Sequence, residues 1–210
     1  MRLAKMFFPG KSCCLTCSPK TRGGLGSSLH IAHLFHSKDM LSKAVQTKLN
    51  EQIQKEAYAS NAYLALATWA EKKGLPNIAE YFYLSSDDER NHMLQLYKYI
   101  NTHGGEAYLS DKLGKVKDSF KTVLEVFKHV FDLEHNVTLS INELSSWCLQ
   151  NGEHATFFFL QAFVLEQQDA ERKVQEIITV VERMGFEDRN LFYLDKQFKK
   201  INQQGAVGEE

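Results

Sequence analysis

The sequence predicts an all-α protein: a bundle of four long helices with one long crossover and a short fifth helix at its C-terminal end. Apolar residues recur every three to four positions through most of residues 41–201, which is the period of a helix that buries one face. Residues 77–210 contain no proline, so long helices can run there without a kink. The breaks between the four long segments are short, long and short, as in a bundle with a single crossover.

The predicted helices are bounded by residues that cap or break helices. The first ends at Lys72-Lys73-Gly74, where two lysines lie near the negative end of the helix dipole and the glycine can take the left-handed conformation. Asn77 is predicted to cap the second helix, with Glu80 at the third helical position. The five predicted helices span residues 41–72, 78–103, 119–149, 153–184 and 188–201.

Residues 104–118 form the long connection between the second and third predicted helices. Fifteen extended residues reach up to about 50 Å, whereas a helix of about 28 residues is about 42 Å long. The connection can therefore run back along the whole bundle, which leaves the third helix parallel to the second.

The charge is distributed unevenly along the chain. Residues 1–38 carry six lysines and arginines and no acid, so the remainder carries 19 basic against 26 acidic residues. An acidic body is not expected to bind nucleic acid, whereas it can attract cations. No apolar run approaches the roughly 20 residues that a membrane-spanning helix needs, so a membrane is not an expected partner.

The first 39 residues form a basic leader without helical periodicity. The leader is interpreted as an organelle-targeting peptide, as an unstructured tail, or as an upstream misreading of the start, with Met40 the first residue. Residues 40–201 are then the folded domain, and residues 202–210 are predicted to be a flexible tail.

Three of the four cysteines lie in the leader, and Cys148 is the only one in the body. A single cysteine cannot form a disulfide within the body, which is typical of a protein in a reducing compartment. We therefore expect a cytoplasmic protein, with an organelle as the alternative if the leader is a transit peptide.

Each long predicted helix has a polar interruption in the middle of its apolar stripe. The second helix carries Glu89 and His92, which are three residues apart and share one face. The other helices carry Glu56, Glu134 and Gln167, and mid-helix positions meet at one level of a bundle. Any one of these residues alone is better explained as a core polar residue bonded to a neighbour, or by a helix boundary misjudged by one residue. Several buried carboxylates with no lysine or arginine on the same stripes, however, repel one another strongly.

A pair of divalent cations removes this repulsion. Carboxylate and imidazole ligands with open coordination positions suit Fe(II) that reacts with oxygen. Glu-x-x-His, as at residues 89–92, is also the spacing with which helical bundles hold two irons. The sequence therefore predicts a dinuclear metal centre inside the bundle.

The segments that carry these residues resemble ferritins, and most closely the non-haem ferritins of bacteria. The resemblance covers about residues 41–200, and it implies a ferritin-like four-helix bundle with a long crossover and a short fifth helix. It is carried by Leu49-Asn50-Glu51-Gln52 before Glu56, Ser86-Asp87-Asp88-Glu89-Arg90-Asn91-His92, Glu134, Ile141-Asn142-Glu143-Leu144, and Phe159-Leu160-Gln161 before Glu166-Gln167.

The resemblance also implies roles for the polar residues. Glu56, Glu89 and His92 are expected to bind the first iron. Glu89 is expected to bridge to the second iron, which Glu134 also binds, and Gln167 is expected to lie beside that second iron.

Further roles follow from the same resemblance. Tyr63 corresponds to a tyrosine that helps in oxygen reduction, the alternative being an ordinary core aromatic. Asp88, Glu166 and Asp169 fall at the positions of a third iron site, with the shorter aspartate in place of glutamate at two of them. Ala170 stands where many bacterial ferritins have an acid, which leaves the second iron with fewer protein ligands.

The activity that the resemblance implies is that of a ferroxidase in an iron-storage protein. Two Fe(II) ions per subunit are oxidised by O₂, and ferric oxyhydroxide is deposited inside a hollow homo-oligomeric shell of 24 subunits. Fe(II) is expected to enter through acidic channels between subunits, and the fifth helix is expected to line the four-fold axis.

Two alternatives conflict with particular residues. Rubrerythrins, di-iron oxygenases and haem-carrying bacterioferritins have a second Glu-x-x-His where this chain reads Gln167-Gln168-Asp169-Ala170. A non-catalytic structural or signalling bundle has no need for the four intact ligands in the middle of the helices.

Overall fold

The computed structural model describes residues 41–185 and 188–207. Within these ranges the chain forms five α-helices and no strand, which confirms the predicted all-α bundle with a long crossover. The helices are α1 (Lys43–Lys72), α2 (Pro76–Thr102), α3 (Val123–Gln150), α4 (His154–Met184) and α5 (Asp188–Val207). The leader, its three cysteines and the last three residues lie outside the described residues. No helix in the described ranges has the length and apolar character to cross a membrane.

The helices pack in pairs, α1 along α2 and α3 along α4, with α5 lying mainly against α2. α1 ends as predicted, because Gly74 has a φ of 72° and lets two backbone bonds close the last turn. In these bonds the Gly74 amide donates to Glu71 O at 2.9 Å and the Leu75 amide donates to Ala70 O at 3.0 Å. The chain can therefore reverse into α2 within three residues.

The predicted cap of α2 is wrong. Leu75 occupies the N-cap position without a side-chain hydrogen bond, and Pro76 is the first helical residue. Asn77 is instead held by Asp195 of α5, which accepts from the backbone amides of Asn77 at 2.9 Å and Ile78 at 3.0 Å. α5 also runs to Val207, six residues past its predicted end. The acceptor that caps α2 thus comes from a distant helix.

The crossover follows α1 from one end to the other, as its length predicts. At its start the Glu106 amide donates to Gln46 Oε1 at 3.1 Å. At its end the indole of Trp69 donates to Phe120 O at 3.0 Å. Gln46 lies in the first turn of α1 and Trp69 in the last, so α3 starts beside the N-terminal end of α2 and runs parallel to it.

Two apolar clusters fill the bundle, and a polar layer separates them. On each long helix the predicted polar residue lies between a member of one cluster and a member of the other. These flanking pairs are Ile53 and Tyr63 around Glu56, Phe82 and Met93 around Glu89, Val130 and Val137 around Glu134, and Phe163 and Val174 around Gln167. Packing of the apolar stripes therefore brings the four helix midpoints to one level.

Candidate metal centre

The polar layer is almost closed to solvent. Glu56, Glu89, Glu134 and Gln167 have exposed fractions of 1%, 4%, 4% and 3%. The His92 side chain is 18% exposed and closes the layer on one side. One ligand atom each from Glu56, Glu89 and His92 lies within 4.8 Å of the others. Because ligands around one ion at about 2.1 Å lie up to about 4.2 Å apart, a small contraction places all three around a single metal.

Glu134 is oriented by two neighbours, Tyr63 of α1 and Gln167 of α4. Its Oε1 accepts a hydrogen bond from the Tyr63 hydroxyl. Gln167 Nε2 donates to Glu134 Oε2 at 3.4 Å and to its backbone oxygen at 3.3 Å. The structure thus brings Glu134, Gln167 and Tyr63 into direct contact, next to the group formed by Glu56, Glu89 and His92.

The three buried carboxylates have raised pKa values. Burial is the largest cause for each, and the neighbouring charges add to it: Glu89 acts on Glu56, and Glu134 acts on Glu89. Burial also raises the pKa of Tyr63, with Glu134 as the next cause. Burial by itself lowers the pKa of His92, but hydrogen bonds to Glu166 and Glu89 outweigh it and raise the pKa to about 11. The layer therefore attracts positive charge, as the sequence predicts for a cation site.

One oxygen of Glu56 has no partner. Glu56 Oε1 accepts from Gln52 Nε2 at 2.7 Å, whereas the buried Oε2 has no hydrogen-bond partner. A buried acceptor without a donor costs about 1–3 kcal/mol, so such atoms are rare unless a ligand satisfies them. An oxygen-rich set with one imidazole and an unsatisfied carboxylate oxygen fits a divalent ion such as Fe(II).

The residues expected at a third site are arranged differently. Glu166 Oε2 lies 3.2 Å from His92 Nε2, and its side chain is 55% exposed. Asp169 forms an ion pair with Arg172 at 3.1 Å, and Asp88 is exposed. Among the described residues these three do not come together as the compact group of Glu56, Glu89 and His92 does.

Sequence reasoning missed three residues behind Glu56. Gln52 donates to Glu56 and is 2% exposed, Ser140 of α3 donates to Gln52, and Lys55 donates to Ser140. For Gln52 a local signal exists, because it precedes Glu56 by four residues and shares its face. Ser140 and Lys55 carry no such signal, since they meet only when α1 and α3 pack.

Comparisons with known proteins agree with this geometry. The family described as Ferritin-like domain matches residues 46–184. The bacterial non-heme ferritin of Campylobacter jejuni is 32% identical over 162 residues, which are 77% of this chain and 96% of that relative. The bacterial non-heme ferritin of Bacteroides fragilis is 34% identical over 158 residues, 75% of this chain and 98% of the relative.

Solved structures show the same likeness. A ferritin of Archaeoglobus fulgidus, described as a novel open pore ferritin, superposes with a TM-score of 0.73 at 28% identity, covering 75% of this chain and 96% of that one. An engineered closed form of the Archaeoglobus fulgidus ferritin superposes equally well, with a TM-score of 0.73 at 28% identity. With its bundle, its buried acidic layer and these matches, the chain belongs to the ferritin family, among the bacterial-type non-haem ferritins.

Proposed function

We propose that the chain is an iron-storage ferritin subunit that oxidises Fe(II) with O₂ at a two-iron centre and deposits ferric oxyhydroxide inside a hollow shell. The observation that carries the proposal is the buried layer itself. Three carboxylates and one histidine share a nearly dry level of the bundle, and one carboxylate oxygen accepts no hydrogen bond. Such an arrangement is costly in a purely structural core and is stabilised by bound cations.

The two irons are substrates with different surroundings. Glu56, Glu89 and His92 bind the first Fe(II), while Glu89 bridges to the second, which Glu134 binds with Gln167 beside it. Each Fe(II) supplies one electron, so a pair reduces one O₂ to the level of hydrogen peroxide. Ala170 offers no ligand to the second iron and Gln167 only lies beside it, so the second position has fewer protein ligands than the first and binds its ion less tightly. This asymmetry favours passage of Fe(III) onward to the interior.

Tyr63 acts on the reaction through Glu134. Its hydroxyl donates to Glu134 Oε1, which holds that carboxylate in place beside the second iron. Asp88, Glu166 and Asp169 are proposed to form a third iron position at the edge of the centre. Arg172 bonds Oδ1 of Asp169, so the other oxygen of that carboxylate is the one offered to an ion.

Self-assembly, which we propose leads to a shell of 24 subunits, is supported by apolar side chains on the outside of the single chain. Phe158 and Leu165 of α4 are 72% and 66% exposed, and Phe192 and Tyr193 of α5 are also exposed. Large exposed apolar groups of this kind are typical of surfaces that another subunit covers. We place the assembly in the cytoplasm, and its other partners are Fe(II) and O₂.

The test adds Fe(II) in air to the purified metal-free protein and follows the near-ultraviolet absorbance of Fe(III). We expect rapid growth with a fast phase of two Fe(II) per subunit, no growth without oxygen, and slow growth in Glu56→Ala and Glu89→Ala. Light scattering should give a particle of about half a megadalton for a shell of 24.1-kDa chains. A dimeric protein that oxidises no iron in air contradicts the proposal.

A further inference from the structure

A line of three hydrogen bonds connects a lysine at the surface to the buried carboxylate of Glu56. Lys55 Nζ donates to Ser140 Oγ at 2.5 Å, and Ser140 Oγ donates to Gln52 Oε1. Gln52 Nε2 then donates to Glu56 Oε1 at 2.7 Å. Gln52 and Ser140 are buried, and the outer end of the line opens into a groove of about 520 Å³ between α1 and α3. We call Lys55, Ser140 and Gln52 the Glu56 relay.

The chemistry of its two ends sets the direction of every bond in the relay. A lysine ammonium has only donors, and the Glu56 carboxylate, which is ionised when it binds a cation, has only acceptors. Ser140 accepts from Lys55, so its single proton is available for Gln52. Gln52 therefore turns its oxygen to Ser140 and its NH₂ group to Glu56. With the amide turned over, its oxygen would face the Glu56 carboxylate and the two acceptors would repel each other.

This directed relay determines which oxygen of Glu56 remains available. Oε1 is occupied by Gln52, whereas Oε2 is buried and has no hydrogen-bond partner. A carboxylate with one oxygen fixed cannot turn to offer both oxygens equally to an ion. Partners of this kind, one step behind a ligand, orient it and tune its affinity for metals.

We propose that Lys55, Ser140 and Gln52 are positioning residues that hold Glu56 so that Oε2 alone is presented to the first iron. The inference rests on the proposed role of Glu56 as an iron ligand. Lys55 acts through the direction of its hydrogen bond, since an exposed ammonium contributes little by its charge alone. Through the relay, the orientation of Glu56 at the metal centre depends on Lys55, which lies in the groove between α1 and α3.

The groove supplies a matched control. Lys48 lines the same groove as Lys55, on the same helix, and its ammonium lies over the ring of Trp147 at 5.1 Å from the centroid. Lys48→Met removes the same charge from the same surface as Lys55→Met. It leaves the line from Ser140 to Glu56 intact.

The experiment titrates the metal-free protein with Co(II) under nitrogen and records the d–d absorption bands and the dissociation constant of the tighter site. Co(II) reports coordination without being oxidised. We expect Gln52→Leu to weaken binding about 10–100-fold and to change the bands, as outer partners of metal ligands do. Ser140→Ala and Lys55→Met act further away, so we expect about 3–10-fold weakening with a similar band change. Lys55→Arg, whose guanidinium also only donates, should keep the wild-type dissociation constant and absorption bands.

The outcomes separate the relay from the ligand assignment on which it rests. Glu56→Ala should abolish the tighter Co(II) site, and thermal unfolding of each metal-free variant shows whether the fold is intact. If Glu56→Ala binds Co(II) as the wild type does, both the ligand assignment and the relay are wrong. If Glu56→Ala loses the site but Lys55→Met and Ser140→Ala match Lys48→Met in affinity and spectrum, the relay alone is wrong.

Discussion

The side-chain amide of Asn50 pairs with the backbone at Tyr108 through the donor and acceptor pattern that joins two β-strands. The Tyr108 amide donates to Asn50 Oδ1 at 2.8 Å, and Asn50 Nδ2 donates to Glu106 O at 3.0 Å. Gln46, one turn before, accepts from the Glu106 amide. Gln54, one turn after, donates to Tyr108 O and accepts from the Ser110 amide. Four helical residues rise about 6 Å, and two extended residues span about 6.6 Å. Side-chain amides four residues apart on α1 therefore lie opposite every second residue of the extended crossover. A helix therefore guides the extended crossover along its whole length.

Replacing Asn50 by leucine should destabilise the fold by about 2–4 kcal/mol, because it leaves two backbone groups of the crossover without partners. The free energy of unfolding in urea measures the effect. Thr47→Val is the control, since the exposed Thr47 hydroxyl bonds only Lys43 O of its own helix. Equal stabilities of the two variants would show that the crossover is held by other contacts.

Replacing Asp195 by alanine should cost about 1–2 kcal/mol, as the loss of a helix cap does, since two α2 amides lose their acceptor. Asp195→Asn keeps an acceptor oxygen and should cost less. Hydrogen exchange at the amides of Asn77 and Ile78 locates the effect. Gln197→Ala, at an exposed position of the same helix, should leave that exchange unchanged. Slow exchange at both amides in Asp195→Ala would contradict the role of α5 in capping α2.

Replacing Glu56 by glutamine should preserve the stability of the metal-free protein and remove the extra stability that bound Co(II) provides. Removing one negative charge from a layer of three relieves repulsion, so the metal-free variant should be at least as stable as the wild type. Saturation with Co(II) at about 100 times its dissociation constant should stabilise the wild type by about 2.7 kcal/mol and the variant by almost nothing. Thermal unfolding with and without Co(II) measures both. Equal stabilisation by Co(II) in the two proteins would remove Glu56 from the ligand set.

Replacing Tyr63 by phenylalanine should slow Fe(II) oxidation about tenfold, because a hydrogen bond to a charged group contributes about 1.5–3 kcal/mol. The number of Co(II) ions bound should stay the same, since Glu134 remains. Stopped-flow absorbance gives the rate. Tyr58→Phe is the matched control and should leave the rate unchanged, because the Tyr58 hydroxyl bonds Lys115 O of the crossover and not a residue of the metal centre. An unchanged rate in Tyr63→Phe would show that the Tyr63 hydroxyl has no part in Fe(II) oxidation.

Cys148 should make stability depend on pH in alkaline solution. Burial raises the pKa of its thiol to about 11, above that of the unfolded chain at about 8.5. The unfolded chain therefore loses the thiol proton first, so the stabilisation is present below about pH 8.5 and is lost as pH rises toward 11. Urea unfolding of the wild type and Cys148→Ala under reducing conditions should show their difference shrinking over that range. A constant difference would mean that the thiol titrates alike in both states.

The helices and the level of the centre were predictable because both depend on local pattern. Apolar residues at every third or fourth position mark a buried face wherever that face packs, and Glu89 and His92 interrupt it within one turn. The departure at the start of α2 came from tertiary packing, which the local pattern does not contain. Asn77 looks like a cap by its position in the chain, yet tertiary packing supplied a stronger acceptor from Asp195.

The sequence by itself determined the five helices, the course of the crossover and the set of acidic groups at mid-helix. Only the tertiary structure decided which groups meet, such as Gln52 with Ser140 and Asn77 with Asp195, which are 88 and 118 residues apart in the chain. The physical reason is that helical periodicity specifies the face of a side chain. The rotation and register of one helix against another come from packing, and they decide which polar atoms on those faces come within bonding distance.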